Sequence, residues 1–136
     1  ACDWRVLAHD AFVSLPEIAL GIPLTWGAIP RLTTLVGPAR AKRLTILCER
    51  IGAADALAMG LVDHVAAKGA ALATARGLAQ QVLAMPAAAV RMSKATVNAV
   101  ATTHHLAAGH MALDQLMLAG ASAESKAARA AALKKR

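Results

Sequence analysis

The chain has 136 residues, a net charge of +7 and an apolar content of 57 per cent, with aromatics at only 2 per cent. Much of the apolar share is alanine, which favours helix and buries little area per residue; a core built from it is thin for the length. The protein is therefore expected to be part of something larger, or to bury surface against copies of itself. A membrane span is excluded: the longest stretch free of Asp, Glu, Lys and Arg, Ala95 to Leu113, holds Thr96, Asn98, Thr102, Thr103 and three histidines, which are costly in hydrocarbon.

The opening Ala1-Cys2-Asp3-Trp4-Arg5 has no basic region followed by an apolar one, so no secretory leader is expected. Without an initiator Met it reads as if in mid-domain. Cys2 and Cys48 stand in no metal-ligand or redox spacing, and a reduced, cytoplasmic setting is expected. A pI near 10.3 raises nucleic acid as a partner. However, the bases are spread along the chain, the one dense cluster is Lys134-Lys135-Arg136, and there are almost no aromatics to stack on bases, so no nucleic-acid partner is expected. A small phosphate-bearing ligand suits the charge as well.

In chain order, Arg5-Val6-Leu7-Ala8 and Phe12-Val13 read as two short strands around the turn His9-Asp10. Pro16, Gly21, Pro23, Gly27 and Pro30 then punctuate residues 14 to 30 into a short helical turn and a loop. Ile29 to Val36 reads as a helix ended by Gly37, and Pro38 opens another at its first-turn position. Within that second helix Leu44, Leu47, Cys48 and Ile51 recur at the spacing of one face. Ala53 to Met59 is a short helix stopped by Gly60, and Leu61 to Val65 a brief extended piece. Gly69 to Met85 is helical. Pro86 breaks it and opens the next helix, to about Val100. His104 to Ala119 and Ser125 to Lys135 complete a mainly helical second half. Two strands this short do not make a stable sheet alone, so further sheet is expected before Ala1.

Glu17 stands alone among uncharged residues in Phe12-Val13-Ser14-Leu15-Pro16-Glu17-Ile18-Ala19-Leu20-Gly21-Ile22-Pro23. Locally, Ser14-x-x-Glu17 reads as a capping box, each side chain bonding the other's backbone NH, with the acid suited to the helix dipole. That accounts for the residue without chemistry.

The wider string resembles the crotonase superfamily, the enoyl-CoA hydratases and isomerases. Cys2-Asp3, Ala11-Phe12 and Leu15-Pro16-Glu17-Ile18-Ala19-Leu20-Gly21-Ile22-Pro23 follow the family's A-C-D, strand and A-x-F-G-x-P-E-x-x-L-G. Arg31-Leu32, the helix start Val36-Gly37-Pro38-Ala39-Arg40-Ala41-Lys42, Ile51-Gly52-Ala53-Ala54-Asp55-Ala56-Leu57 with Gly60-Leu61-Val62, Met85-Pro86, and Lys94 through Asn98 continue the match in order. The resemblance runs through the whole chain and covers half of a family member.

It implies an α/β protein with the crotonase-like spiral fold, of which this is the C-terminal part only. Residues 1–65 would be the end of the core with the glutamate loop. Residues 66–136 would be a helical region serving oligomerisation and part of the CoA site. The family's other half supplies stacked strand-turn-strand units, two backbone NH groups that bind the thioester oxygen, and a first catalytic Glu, which by spacing would precede Ala1.

The resemblance further implies that Glu17 is a general acid/base, moving a proton at the carbon alpha to a thioester. Such a proton is weakly acidic, so the enolate needs aimed donors and a nearby proton carrier. Apolar surroundings disfavour the charged form of a carboxyl group, which suits one to both directions of transfer. Two departures stand out: Ser14 replaces the usual Gly, and Leu24-Thr25-Trp26-Gly27-Ala28 replaces a Gly-rich loop, placing Leu24, Thr25 and Trp26 beside the expected acyl tail or water. Leu116 falls where the family often sets a residue near the adenine or acyl part, and Lys135 where a basic helix end meets CoA phosphates; plain helix packing and a solvated terminus are the alternatives.

The histidines offer no ligand set, since His104, His105 and His110 are badly spaced for one helical face, and no metal or redox cofactor is implied; CoA belongs to the substrate. Nor does His9-Asp10 with Ser14 make a hydrolytic triad, for want of a G-x-S-x-G turn. The implied activity is hydration of a 2-enoyl-CoA in fatty-acid β-oxidation. The alternatives are a shift of a double bond from the 3 to the 2 position, or a non-catalytic assembly module. The implied assembly is a trimer or pair of trimers.

Overall fold

The computed structural model describes residues 2–103, 105 and 111–134. Two compact units divide the chain, each built from two separated segments: Ala1–Val13 with Ile51–Thr103, and Ser14–Arg50 with His104–Arg136. This is a division by packing, where the sequence-based one at residue 65 is by role.

In the first unit, strands β1 (Val6–Ala8) and β2 (Phe12–Val13) flank a turn closed by the Ala11 NH on the Ala8 carbonyl at 3.0 Å. The two strands do not pair with each other. β1 runs parallel to β4 (His64–Ala66), with Leu7 opposite Val65, and β2 runs antiparallel to β3 (Ile51–Gly52), with Val13 opposite Ile51. The partner strands lie 58 residues on for β1 (Val6 to His64) and 38 to 40 for β2 (Val13 to Ile51, Phe12 to Gly52), which no local pattern announces. Helix α3 (Ala53–Ala58) follows β3 directly and ends at Gly60, whose φ is +77°. Its inward face is small, so Ala53 and Ala56 are buried with Ile51, Leu61, Val62 and Ala66.

Arg5 ties this unit together. Its backbone NH donates to Asp63 Oδ2 at 2.7 Å, its Nη2 lies 2.9 Å from the same oxygen, and its Nε donates to the Leu61 carbonyl at 2.8 Å. Helix α4 (Ala71–Leu83) and helix α5 (Ala87–Ala101) complete the unit, with Pro86 at the cap of the second, where its missing NH costs nothing.

In the second unit, a three-residue 3₁₀ turn (Ile18–Leu20) leads through the loop to helix α1 (Ala28–Val36) and helix α2 (Pro38–Ile46), separated by Gly37 at φ +80°. The expected α2 face is corrected by the structure. The helix stops at Ile46, Leu47 is exposed, Cys48 takes a left-handed backbone (φ +52°), and Ile51 belongs to β3. Leu44 remains its deeply buried anchor. Helix α6 (Met111–Ala121) and helix α7 (Ala123–Leu133) end the chain, the latter capped by Ser122, whose hydroxyl accepts from the Ser125 NH at 3.1 Å. No described helix is long and apolar enough to cross a membrane.

Candidate functional site

Residues 14–30 bring Glu17, Leu24, Thr25 and Trp26 into one segment of the second unit. The capping box does not form. Ser14's hydroxyl donates to the Cys48 carbonyl at 3.3 Å, a partner 34 residues away. The helical turn begins only at Ile18, so Glu17 occupies the cap position itself and its side chain makes no cap bond. A helix starting at Leu15 would be needed to set Glu17 in the third position, where the reciprocal bond is possible.

Freed from capping, Glu17 is half-buried, and its Oε2 is closed off from solvent with no hydrogen-bond partner among the described residues. An unpaired buried acceptor costs about 1–3 kcal/mol. The backbone around it is held firmly: the Glu17 carbonyl accepts from the NH groups of Leu20 (3.0 Å) and Ile22 (3.1 Å). Gly21 closes the turn at φ +73°, and a Cβ placed on it would stand 2.5 Å from the Ser125 Cα. Ser125 is 1 per cent exposed, and its Oγ receives the Arg129 guanidinium at 2.8 Å. The last helix thus rests directly on the turn that follows Glu17, a support that no sequence signal near Glu17 or Ser125 reveals.

Downstream, the loop carries a second unsatisfied group. Thr25 is 6 per cent exposed, and its hydroxyl is buried without a partner among the described residues. The next two residues are both left-handed, Trp26 at φ +58° and Gly27 at φ +65°. Glycine adopts that conformation freely, but a bulky side chain does so at a cost of about 1–3 kcal/mol. Trp26 nonetheless holds it, and the residue is 78 per cent exposed.

A small cleft of about 220 Å³ opens at the amino end of α1. Leu24, Thr25 and Gly27–Pro30 form one side; Met111, Ala112 and Gln115 of α6 form the other. Of the sequence-predicted residues, Leu24 and Thr25 line it. Glu17, Trp26 and Leu116 do not, and Leu116 is half-buried on α6 one residue past Gln115. Lys135 lies outside the described residues. The resemblance pointed to α6 through Leu116, whereas the α6 residues that line the cleft are Met111, Ala112 and Gln115.

His105 Nε2 stands 3.2 Å from Thr34 Oγ1, whereas His104 and His110 lie outside the described residues. Among the described residues no three His, Cys, Asp or Glu side chains cluster as metal ligands.

Residues 1–136 match the family described as Enoyl-CoA hydratase/isomerase. A crotonyl-CoA hydratase of Syntrophomonas wolfei subsp. wolfei is 35 per cent identical over 135 residues, covering 99 per cent of this chain and 52 per cent of the relative. Among solved structures, an enoyl-CoA hydratase from Mycobacterium avium subsp. paratuberculosis superposes with a TM-score of 0.91 at 28 per cent identity, over 99 per cent of this chain and 55 per cent of that one. An enoyl-CoA hydratase/isomerase from Pseudoalteromonas atlantica gives 0.89 at 27 per cent identity, over 99 and 54 per cent. The chain thus spans about half the length of these relatives.

Proposed function

The chain belongs to the enoyl-CoA hydratase/isomerase family, with the crotonase-like fold, and on that premise we propose that the protein carrying it acts on acyl-CoA thioesters with Glu17 as the proton-transfer group. In the proposed hydration, a water oxygen bonds to the β carbon of a 2-enoyl-CoA. The double-bond electron pair moves toward the thioester carbonyl, Glu17 delivers its proton to the α carbon, and the proton shed as one water O–H bond breaks restores the Glu17 carboxyl group. In the reverse direction Glu17 takes that proton back.

The observation that carries this reading is the side chain of Glu17, which keeps one carboxylate oxygen unpaired and out of bulk water while its backbone is pinned by two hydrogen bonds and the Gly21–Ser125 contact. A carboxylate used only for structure would be expected to spend that oxygen on a donor. The thioester oxygen would be held by backbone NH groups from the part of the family fold that these residues do not span, and losing even one such donor costs about 10² to 10³ in rate.

A second reading is favoured by one feature. Glu17 is the only acidic residue between Asp10 and Glu49. Shifting a double bond from the 3 to the 2 position needs one carboxylate to take a proton from one carbon and return it to another, so isomerisation fits a lone acid.

The proposal extends to setting and assembly. Both cysteines are free, in keeping with a cytoplasmic, reducing compartment. Exposed Met92, Val97 and Val100 on α5 and Leu113, Met117 and Leu118 on α6 support assembly into a trimer or pair of trimers. The substrate brings CoA with it, and no metal or further cofactor enters the proposed chemistry.

The test is the loss of conjugated-thioester absorbance on mixing with 2-butenoyl-CoA, run alongside a 3-enoyl-CoA. The 136-residue chain alone is expected to turn over little or none. In the longest natural polypeptide that carries this chain, Glu17→Gln should abolish turnover while the circular dichroism stays unchanged. Near-normal turnover of Glu17→Gln would remove Glu17 from the mechanism.

A further inference from the structure

The turn that carries Glu17 is closed by backbone hydrogen bonds. The Leu20 and Ile22 NH groups donate to the Glu17 carbonyl at 3.0 and 3.1 Å, and the Gly21 NH donates to the Ile18 carbonyl at 2.9 Å. Residues 17–22 therefore move as one piece, and whatever fixes Gly21 also fixes the origin of the Glu17 side chain. Gly21 is fixed by Ser125: a Cβ built on the glycine would stand 2.5 Å from the Ser125 Cα, 3.0 Å from its Cβ and 3.1 Å from its Oγ. Both residues belong to the second unit, and Ser125 is fully buried, so the contact does not depend on what covers the outside.

Packing alone explains a small residue at position 125, but not a hydroxyl. Alanine would fit equally and would avoid burying a polar group, which is costly unless the group is bonded. The hydroxyl is used by Arg129, one helical turn further along α7 and on the same face, whose Nη2 donates to Ser125 Oγ at 2.8 Å. The same Nη2 lies against Gly120 of α6, where an added Cβ would stand 3.2 Å from it. One guanidinium thus spans the corner between α6 and α7. Ser122 closes that corner independently: its hydroxyl accepts from the Ser125 NH at 3.1 Å and donates to the Ala119 carbonyl at 2.8 Å. The corner locates Ser125, and Ser125 locates Gly21.

We propose that Ser125 and Arg129 are positioning residues for Glu17: Arg129 locks Ser125 at the α6–α7 corner, and Ser125 sets, through Gly21, how far the Glu17 carboxyl group reaches toward the α carbon. This rests on the proton-transfer reading above and adds to it the two residues that keep the proton carrier in range. In this role neither touches the substrate. Displacing a reacting group by about 1 Å costs about 10²-fold in rate, which is the leverage a contact this close provides.

The kinetic arm uses the longest natural polypeptide that carries the chain, with turnover of 2-butenoyl-CoA expressed per folded molecule. Ser125→Val sets a branched side chain against Gly21 and should lower kcat about 10²-fold. Arg129→Ala changes an exposed residue and so spares the fold. It should lower kcat about threefold to tenfold with KM unchanged, because it withdraws one charge-assisted hydrogen bond. Arg129→Lys keeps a single donor and should recover most of the loss.

Amide hydrogen exchange reads the turn without any chemistry. In Arg129→Ala, exchange at Leu20, Gly21 and Ile22 should quicken about tenfold while the amides of β1 keep their parent rates. Unchanged exchange at the turn would overturn the proposal, and so would an Arg129→Ala kcat at the parent value. Failure of the proton-transfer reading would look different: Glu17→Gln would keep its turnover while exchange at Leu20 and Ile22 still answered to Arg129.

Discussion

Two stretches of similar length treat their polar groups in opposite ways. Around Arg5 nothing polar is wasted. One guanidinium and one backbone NH converge on Asp63 and the Leu61 carbonyl, and the neighbouring strand finds its parallel partner. From Ser14 to Pro30 the chain instead leaves a Glu17 oxygen and a Thr25 hydroxyl buried and unpaired, and sets a tryptophan in a glycine's conformation. The first stretch stabilises the fold, and the second spends stability where the proposed chemistry lies. Local strain and unsatisfied groups concentrated in one loop, on an otherwise satisfied frame, are what a site looks like before its ligand arrives.

Substitutions can break or sharpen that contrast. The largest expected effect is at Glu17: in the longest natural polypeptide that carries this chain, Glu17→Asp withdraws the carboxylate by one methylene and should lower kcat about 10²-fold or more with little change in thermal midpoint, measured by stopped-flow turnover and calorimetry. Next is Gly21→Ala. The added Cβ meets the Ser125 backbone at 2.5 Å in a left-handed conformation, so unfolding free energy should fall by about 2–4 kcal/mol in a denaturant titration. That residue belongs to the loop by position and to the frame by function, and a loss under 1 kcal/mol would mean the last helix does not support the turn.

Arg5→Ala should cost about 1–2 kcal/mol, mostly from the Asp63 and Leu61 groups left short of a donor; both charges are partly solvated, which limits the loss. Arg5→Lys should recover only part of it, because a lysine cannot serve both acceptors in the same fork. The smallest effect has the opposite sign. Trp26→Gly should raise stability by about 1 kcal/mol, seen as a thermal midpoint a few degrees higher, because it removes the strained backbone. If Trp26→Gly destabilised instead, the ring would be part of the frame and the contrast would dissolve.

Much of this was legible in the sequence because glycine and proline mark boundaries locally. Gly37 and Pro38 separate α1 from α2, Gly60 ends α3, and Pro86 divides α4 from α5, all where their backbone chemistry requires. The motif around Glu17 was equally plain, and with it the family. What stayed hidden depends on distant partners. Ser14 has the spacing of a cap, yet its hydroxyl goes to Cys48. β1 and β2 look like a hairpin, yet each pairs with a strand beyond residue 50. Trp26 and Cys48 carry no mark of a left-handed backbone, since neither residue type favours one.

The contact between Gly21 and Ser125 has a practical reach for anyone cutting or tagging the protein. Deleting the chain from Ala123 onward would take away the floor beneath the Glu17 turn, although the deleted helix contains no residue of the proposed chemistry. A trimmed version could then keep every reacting group and still lose its reaction, with the defect traced at first to the wrong end of the molecule.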